Sequence, residues 1–64
     1  MSEFEGKVLV VTGGGAGIGR AAALLFAREG VRVAALDINE PSARETVRLI
    51  VTKGGEALAF GVDI

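Results

Sequence analysis

The chain contains no cysteine and no histidine. Their absence excludes a disulfide framework and an obvious zinc site, which are two common ways of stabilising short chains. A unit near this size buries only about 60% of its unfolded surface and is marginally stable without such help. Half of the residues are apolar, which suits a segment buried inside a larger structure better than a free-standing miniprotein. The composition therefore predicts an incomplete domain.

The chain also lacks a strong charge of either sign and any long apolar run. Seven basic and eight acidic residues give a net charge of −1, which provides no basic field for nucleic acid or for an anionic membrane. Aliphatic runs such as Val8 to Val11 are far shorter than the roughly 20 residues of a membrane span. Met1 to Glu5 carries two glutamates and does not fit a secretory signal. We expect a cytoplasmic protein that binds neither nucleic acid nor membrane.

Three short segments have the composition of strands. Val8 to Val11 and Arg32 to Asp37 contain apolar runs without polar alternation, which is typical of strands covered on both faces of a parallel sheet. Glu56 to Val62 resumes an extended pattern and closes on Asp63 and Ile64. We predict one strand in each segment.

Two helices are predicted between these strands. The first runs from Ile18 to a stop at Gly30, because apolar residues recur there at helical spacing. The second begins near Asn39 to Pro41, where asparagine can cap and proline is tolerated, and Gly54 and Gly55 end it. The predicted inward stripes are Ile18, Ala22, Leu25 and Phe26 in the first helix and Ala43, Val47, Ile50 and Val51 in the second.

This β-α-β-α-β order predicts an α/β fold, the N-terminal part of a doubly wound parallel sheet with strand order 3-2-1. Right-handed crossovers would place both helices on one face of the sheet. The other face would be bare and the first strand would present an open edge, so we expect this piece to aggregate when isolated.

A glycine-rich turn, Thr12 to Gly19, joins the first strand to the first helix. Backbone N–H groups and the helix dipole converge there on an anion such as a pyrophosphate. We expect Gly13 to allow a sharp turn, Gly17 to allow phosphate to approach the backbone closely, and Gly19 to allow the helix to pack closely on the sheet. The alternative is a merely flexible turn. A P-loop is excluded, because no Gly-Lys-Ser/Thr follows.

The spacing of these glycines is specific. The general fingerprint G-x-G-x-x-G cannot be placed on it, because Ile18 or Arg20 stands where the last glycine would be. The pattern that fits is T-G-x-x-x-G-x-G, which resembles the N-terminal signature of the short-chain dehydrogenase/reductase family. The resemblance implies that residues 1–64 are the N-terminal portion of a single NAD(P)-binding Rossmann domain. The turn residues predicted to bind the cofactor are Gly13, Gly15, Gly17, Ile18 and Gly19.

Asp37 closes the second strand 18 positions after Gly19. This is close to the roughly 20-residue spacing at which an acidic side chain reaches the adenosine ribose. The carboxylate would repel a 2′-phosphate, and neither Ala16 nor Ile38 and Asn39 offers a compensating cation. We therefore predict NAD, preferred over NADP, as cofactor. The alternative is a solvated turn aspartate that starts a helix.

Asp63, at the end of the third strand, resembles the family's aspartate that hydrogen-bonds the adenine amino group. Val62 and Ile64 would suit the apolar walls of an adenine slot. A loop-starting aspartate without a ligand is the alternative. Arg20 follows the last motif glycine, but an arginine in a first turn is more often solvated, so we leave it outside the site.

The resemblance implies an NAD-dependent oxidoreductase that acts on an alcohol or carbonyl substrate as a homo-dimer or tetramer. In that family a tyrosine exchanges a proton with the substrate and a lysine four positions later lowers its pKa. This chain has no tyrosine, and neither Lys7 nor Lys53 is placed for such a role. We therefore predict no catalytic residue in it. A non-catalytic dinucleotide-binding module and a fragment that binds nothing remain open.

Overall fold

The computed structural model describes residues 6–13 and 15–63. They form β1 (Val8–Thr12), α1 (Gly17–Arg28), β2 (Arg32–Asp37), α2 (Glu40–Thr52) and β3 (Ala57–Gly61). The predicted order of elements is confirmed. The bounds differ by one residue at the end of β1, at the start of α1 and at each end of β3.

The three strands form one parallel sheet in the order β1-β2-β3, with β2 in the centre. The register places Val10 beside Ala34 and Ala34 beside Leu58. The predicted α/β class and the 3-2-1 strand order are confirmed, since β1-β2-β3 is the same order read from the opposite edge of the sheet. Parallel pairing brings the carboxyl ends of all three strands to one edge of the sheet.

The core lies between one face of the sheet and both helices. Ala23 of α1, Val33 of β2 and Ile50 of α2 are buried and in mutual contact. Because one cluster contains residues from both helices, the helices lie on the same face of the sheet, as predicted.

The inward face of α1 differs from the predicted stripe. Ile18 is 90% exposed and Leu25 is 55% exposed, whereas Ala23 is completely buried. Ala23 packs in the core with Leu24 and Ala27 beside it, because small side chains let the helix approach the sheet closely. The prediction placed the i, i+4, i+7, i+8 stripe on the inward face, and for Ile18 and Leu25 this was wrong.

The inward face of α2 contains a polar residue that the prediction missed. Ala43 and Ile50 are buried as predicted, but Val51 is 53% exposed, and completely buried Thr46 lies on the inward face. Thr46 occupies this position because its hydroxyl has hydrogen-bond partners inside the structure, one of them from α1. The stripe is therefore rotated relative to the predicted one.

The helix ends follow the sequence signals. Asn39 Oδ1 accepts a hydrogen bond from Ser42 N–H at 3.2 Å and caps α2. Both helices end in a glycine of positive φ, Gly30 and Gly54, each at +89°. In both helices the N–H of this glycine donates to the carbonyl three residues before it, and the N–H of the next residue donates to the carbonyl five residues before it. This is the Schellman arrangement. In the described part of the chain, neither helix is long and apolar enough to cross a bilayer.

The second face of the sheet is uncovered and apolar in this chain. Its exposed side chains are Val8, Val10, Leu58 and Phe60, which are 46–65% exposed. Ala34 and Leu36 of the central strand lie between them and are half-buried. A contiguous patch of this kind on an isolated chain promotes association.

The first prediction concerns this bare face. Val10→Lys together with Leu58→Lys is expected to shift the isolated 64-residue chain from aggregates toward monomer, because lysines break the patch without entering the core. Sedimentation velocity at neutral pH measures the change. The matched control is Val33→Lys, which buries a charge on the covered face and should unfold the chain. An unchanged sedimentation profile in the double variant would contradict the prediction.

Candidate functional site

Three connections meet at the carboxyl edge of the sheet. They are the turn between β1 and α1, the turn between β2 and α2, and the segment that follows β3. They enclose an open groove of about 240 Å³. Its lining residues are Gly13, Leu36, Asp37, Ile38, Val62 and Asp63. The structure thus brings together three of the predicted site residues, Gly13, Asp37 and Asp63; Ile64, a predicted wall residue, lies outside the described residues.

Two glycines of the turn have left-handed backbone conformations. The φ angle is +68° at Gly13 and +59° at Gly17, a region that side chains with a Cβ rarely adopt. A Cβ built on either residue would meet no described heavy atom within 4 Å. These glycines are therefore required by backbone conformation, and the space beside them is open to a ligand.

Gly15 is required for a different reason. A Cβ at this position would lie 2.6 Å from Asp37 Oδ2, 2.7 Å from Ser42 Cβ and 2.9 Å from the backbone nitrogen of Ala43. The residue is buried, and its N–H donates to Asp37 Oδ2 at 2.9 Å. Gly15 therefore joins the glycine-rich turn directly to the β2–α2 turn, and its N–H is directed at the carboxylate.

The Asp37 carboxylate is held by backbone donors on both oxygens. Asn39 N–H donates to Oδ1 at 3.0 Å, and Gly15 N–H donates to Oδ2. The backbone N–H of Asn39, followed by those of Gly15 and Ile38, lowers the pKa of Asp37 below its usual value, against a raising effect of partial burial. The group is therefore ionised at neutral pH. An ionised carboxylate has about four acceptor positions, so it can accept further hydrogen bonds from a ligand.

The lowered pKa of Asp37 gives the second prediction. A carboxyl whose pKa is lower in the folded state stabilises the protein above its unfolded pKa, about 3.9. That contribution is lost as the pH falls through the folded pKa. Asp37→Asn should therefore be less stable than the parent at neutral pH, with a difference in melting temperature that shrinks below about pH 4. Thermal unfolding across this range measures it.

The matched control for this pH series is Asp63→Asn at the neighbouring strand end. Asp63 is exposed, so its replacement should change the melting temperature little. A difference between parent and Asp37→Asn that stays constant down to acid pH would contradict the assignment of the N–H contacts to an ionised carboxylate.

The N-termini of the two helices differ. Among the described residues, no side chain caps α1 at Ala16, whereas Asn39 caps α2. Gly17 and Ile18 are exposed at the start of α1, and Gly19 is half-buried behind them. First-turn N–H groups have no intrahelical acceptor, so this helix start can bind an anion through its backbone and its dipole.

These features occur together at the carboxyl edge of a parallel sheet. An uncapped helix follows a glycine-rich turn, and an ionised carboxylate at the end of the adjacent strand borders a groove. This is the arrangement by which Rossmann-type α/β proteins bind dinucleotides. The fold and the site geometry therefore define a Rossmann-type chain.

Comparison with known proteins identifies the family within this class. A profile of the family described as short chain dehydrogenase matches residues 7–64, so the chain belongs to the short-chain dehydrogenase family. Over 61 residues it is 54% identical to an uncharacterised oxidoreductase of Thermotoga maritima, and the alignment covers 95% of this chain and 24% of that protein. The chain spans about a quarter of the length of the curated relatives it matches.

Solved structures agree with this assignment. 7α-Hydroxysteroid dehydrogenase in complex with NADH and 7-oxoglycochenodeoxycholic acid has a TM-score of 0.91 at 42% identity, over 94% of this chain and 24% of that one. A short-chain dehydrogenase/reductase from Burkholderia phymatum in complex with NAD has a TM-score of 0.90 at 38% identity, over 98% of this chain and 22% of that one. The expected resemblance to the family is confirmed.

Arg20 is a residue that the sequence analysis left out of the site. It was expected to be solvated, but it is half-buried and donates hydrogen bonds to Gly15, Ser42 and Thr46. A sequence signal for this position did exist. Arg20 stands three, four and seven residues before Ala23, Leu24 and Ala27, which is the spacing of one helix face.

Proposed function

We propose that residues 1–64 are the N-terminal, NAD-binding part of a longer oxidoreductase that transfers hydride between NAD and an alcohol or carbonyl substrate. The observation that carries the proposal is the Asp37 carboxylate, fixed by backbone N–H groups beside the glycine-rich turn and facing the groove. Support comes from relatives that are oxidoreductases and from neighbours solved with NADH or NAD.

The pyrophosphate would lie at the start of α1. Gly13 and Gly17 leave open space beside the backbone, and the uncapped N–H groups at Gly17, Ile18 and Gly19 provide donors. Gly15 contributes through its position, because its N–H is already donated to Asp37. The residues present therefore fit a bound diphosphate.

The adenosine half would occupy the groove. Asp37 has acceptor capacity for the ribose hydroxyls, and its negative charge disfavours a 2′-phosphate. Asp63 lies at the far side of the groove with Val62, where a carboxylate can accept from the adenine amino group and the apolar side chain can contact the ring. This arrangement favours NAD over NADP.

Bound NAD would supply the hydride chemistry, and this chain would supply placement. The chain contains no tyrosine, and Lys7 and Lys53 lie before β1 and after α2, away from the groove. We therefore propose that the general acid-base pair lies in a later part of the polypeptide. We also propose that the complete protein is a cytoplasmic homo-dimer or tetramer.

The proposal is tested on the complete polypeptide that carries these residues. Isothermal titration with NAD should show saturable binding. In a panel of alcohols with NAD and ketones with NADH, at least one substrate should change the NADH absorbance as the cofactor is reduced or oxidised. Tight binding without turnover by any substrate, in a polypeptide lacking a Tyr-x-x-x-Lys pair, would identify a non-catalytic dinucleotide-binding module instead. Absence of NAD binding would contradict the proposal.

A further inference from the structure

Arg20 connects three parts of the site through its guanidinium. Its Nε donates to Thr46 Oγ1 at 2.9 Å, and its Nη2 donates to the carbonyl oxygens of Gly15 at 2.5 Å and Ser42 at 3.2 Å. One side chain in the first turn of α1 therefore binds the glycine-rich turn and the first two turns of α2. None of these acceptors is a carboxylate: two are backbone carbonyl oxygens and one is the Thr46 hydroxyl.

The residue at the centre of these contacts is Gly15. Its carbonyl accepts from Arg20, and its N–H donates to Asp37. The peptide groups on both sides of this residue are thus fixed by side chains from two different elements. A shift of Gly15 away from Arg20 would also move the donor that holds Asp37 Oδ2.

The anchor on the α2 side is buried. Thr46 is completely inaccessible, and its hydroxyl accepts from Arg20 while donating to Ser42 at 3.4 Å. A buried hydroxyl with satisfied partners has one well-defined position. Arg20 is therefore held at a fixed point of the core and not on a mobile surface.

We propose that Arg20 is a positioning residue for cofactor selectivity, which acts through Gly15 to hold the Asp37 carboxylate in the orientation that accepts the ribose hydroxyls. This inference rests on the proposed NAD-binding function. Arg20 contacts neither phosphate nor ribose in this role; its Nε and Nη2 groups are the donors engaged by Gly15, Ser42 and Thr46. Its contribution is preorganisation of the acidic group that separates NAD from NADP.

Arg20→Met tests the proposal in the complete polypeptide, with NAD and NADP titrated separately by calorimetry. The affinity for NAD should fall about tenfold, the size of one charge-assisted hydrogen bond. The affinity for NADP should change much less, because that cofactor gains nothing from an ordered Asp37. A purely structural role would weaken both cofactors by the same factor.

Two further variants separate positioning from charge. Arg20→Lys keeps the cation but not the fork of donors, so it should behave like Arg20→Met; full recovery of NAD affinity by lysine would mean direct attraction of phosphate and would overturn the proposal. Arg28→Met, on the exposed end of the same helix, is the matched control and should leave both affinities unchanged.

Thr46→Val keeps the test decisive if Arg20→Met does not fold. It removes the acceptor of Arg20 Nε at nearly constant volume and should shift the NAD/NADP ratio in the same direction by a smaller factor. Carbon NMR titration gives an independent readout, because the pKa of Asp37 should rise toward its usual value when Gly15 N–H is displaced. If the parent binds NAD and the variants have an unchanged NAD/NADP affinity ratio, only the role of Arg20 is overturned. A parent that binds no NAD would overturn the proposed function as well.

Discussion

Asp37→Asn is expected to change the NAD/NADP affinity ratio about 100-fold, the largest change in selectivity expected for a single substitution. The expected change combines the weakening of charge-assisted hydrogen bonds to the ribose with relief of repulsion at a 2′-phosphate. NAD should bind more weakly and NADP more tightly. The measurement is calorimetric titration of both cofactors with the complete polypeptide.

The choice of asparagine over alanine follows from the structure. Alanine would leave the N–H groups of Gly15 and Asn39 without their acceptor, so the turn itself would change. Asparagine retains one oxygen that can accept, while it removes the charge. The ratio of the two affinities is the informative quantity, because any general loosening of the site affects both cofactors.

Asp63→Asn is the matched control for this selectivity test. We place Asp63 at the adenine, which NAD and NADP share, so its replacement should weaken both cofactors without altering their ratio. If Asp37→Asn left the ratio unchanged, or if Asp63→Asn altered it as strongly, the assignment of Asp37 to the ribose would be wrong.

Gly15→Ala is expected to lower the free energy of unfolding by about 3 kcal/mol, because overpacking and a broken buried hydrogen bond each cost about 1–3 kcal/mol. The added methyl would overlap Asp37 Oδ2, Ser42 Cβ and the backbone of Ala43. One of these atoms belongs to the main chain of α2, so the clash is not relieved by rotating a side chain. A chain of this size has only roughly 3–10 kcal/mol of stability.

Gly54→Ala is the control that isolates space from backbone conformation. Gly54 has a φ of +89°, and its Cβ would meet no described atom within 4 Å, so only the left-handed conformation is penalised, at roughly 1–2 kcal/mol. Gly15 is not among the glycines of positive φ. Denaturant unfolding of the complete polypeptide compares the two variants. A smaller loss for Gly15→Ala than for Gly54→Ala would show that the close approach at Gly15 is not limiting.

The order of elements was predictable from the sequence because each boundary has its own local signal. Gly30 and Gly54 terminate helices through their positive φ, and Asn39 caps α2. The apolar runs of β1 and β2 are typical of strands in a parallel sheet. These signals depend on neighbouring residues in the chain and need no knowledge of tertiary contacts.

The rotation of the helices was not predictable in the same way, because polar residues lie on the inward side of both helices. Hydrophobic patterning assigns polar residues to the outside, yet Arg20 and Thr46 face each other between the helices and bond through Nε and Oγ1. In this arrangement Ala23 is buried, and Ile18 and Val51 are exposed. The hydrogen bond joins residues 26 positions apart, so the pattern of either helix taken alone does not show which residue is the partner.

The predicted site was specific about residue types and incomplete about how they are held. Glycine spacing and the acidic strand end indicated Gly13, Gly17 and Asp37 without structural information. The contact of Gly15 with Asp37 was not indicated by the sequence. The spacing of the glycines does not distinguish a position where a Cβ would clash from a position where the backbone is left-handed. Only the three-dimensional distance to α2 separates the two.

The link between Gly15 and Asp37 also limits which residues could replace the acid at position 37 in a descendant of this chain. A replacement of Asp37 by a residue without a side-chain acceptor leaves the buried N–H of Gly15 without its partner. Such a step would therefore lower fitness through folding before any new selectivity is gained. Asparagine still offers an oxygen to that amide and is the accessible replacement, whereas a direct change to an aliphatic or basic residue would need an earlier stabilising substitution nearby.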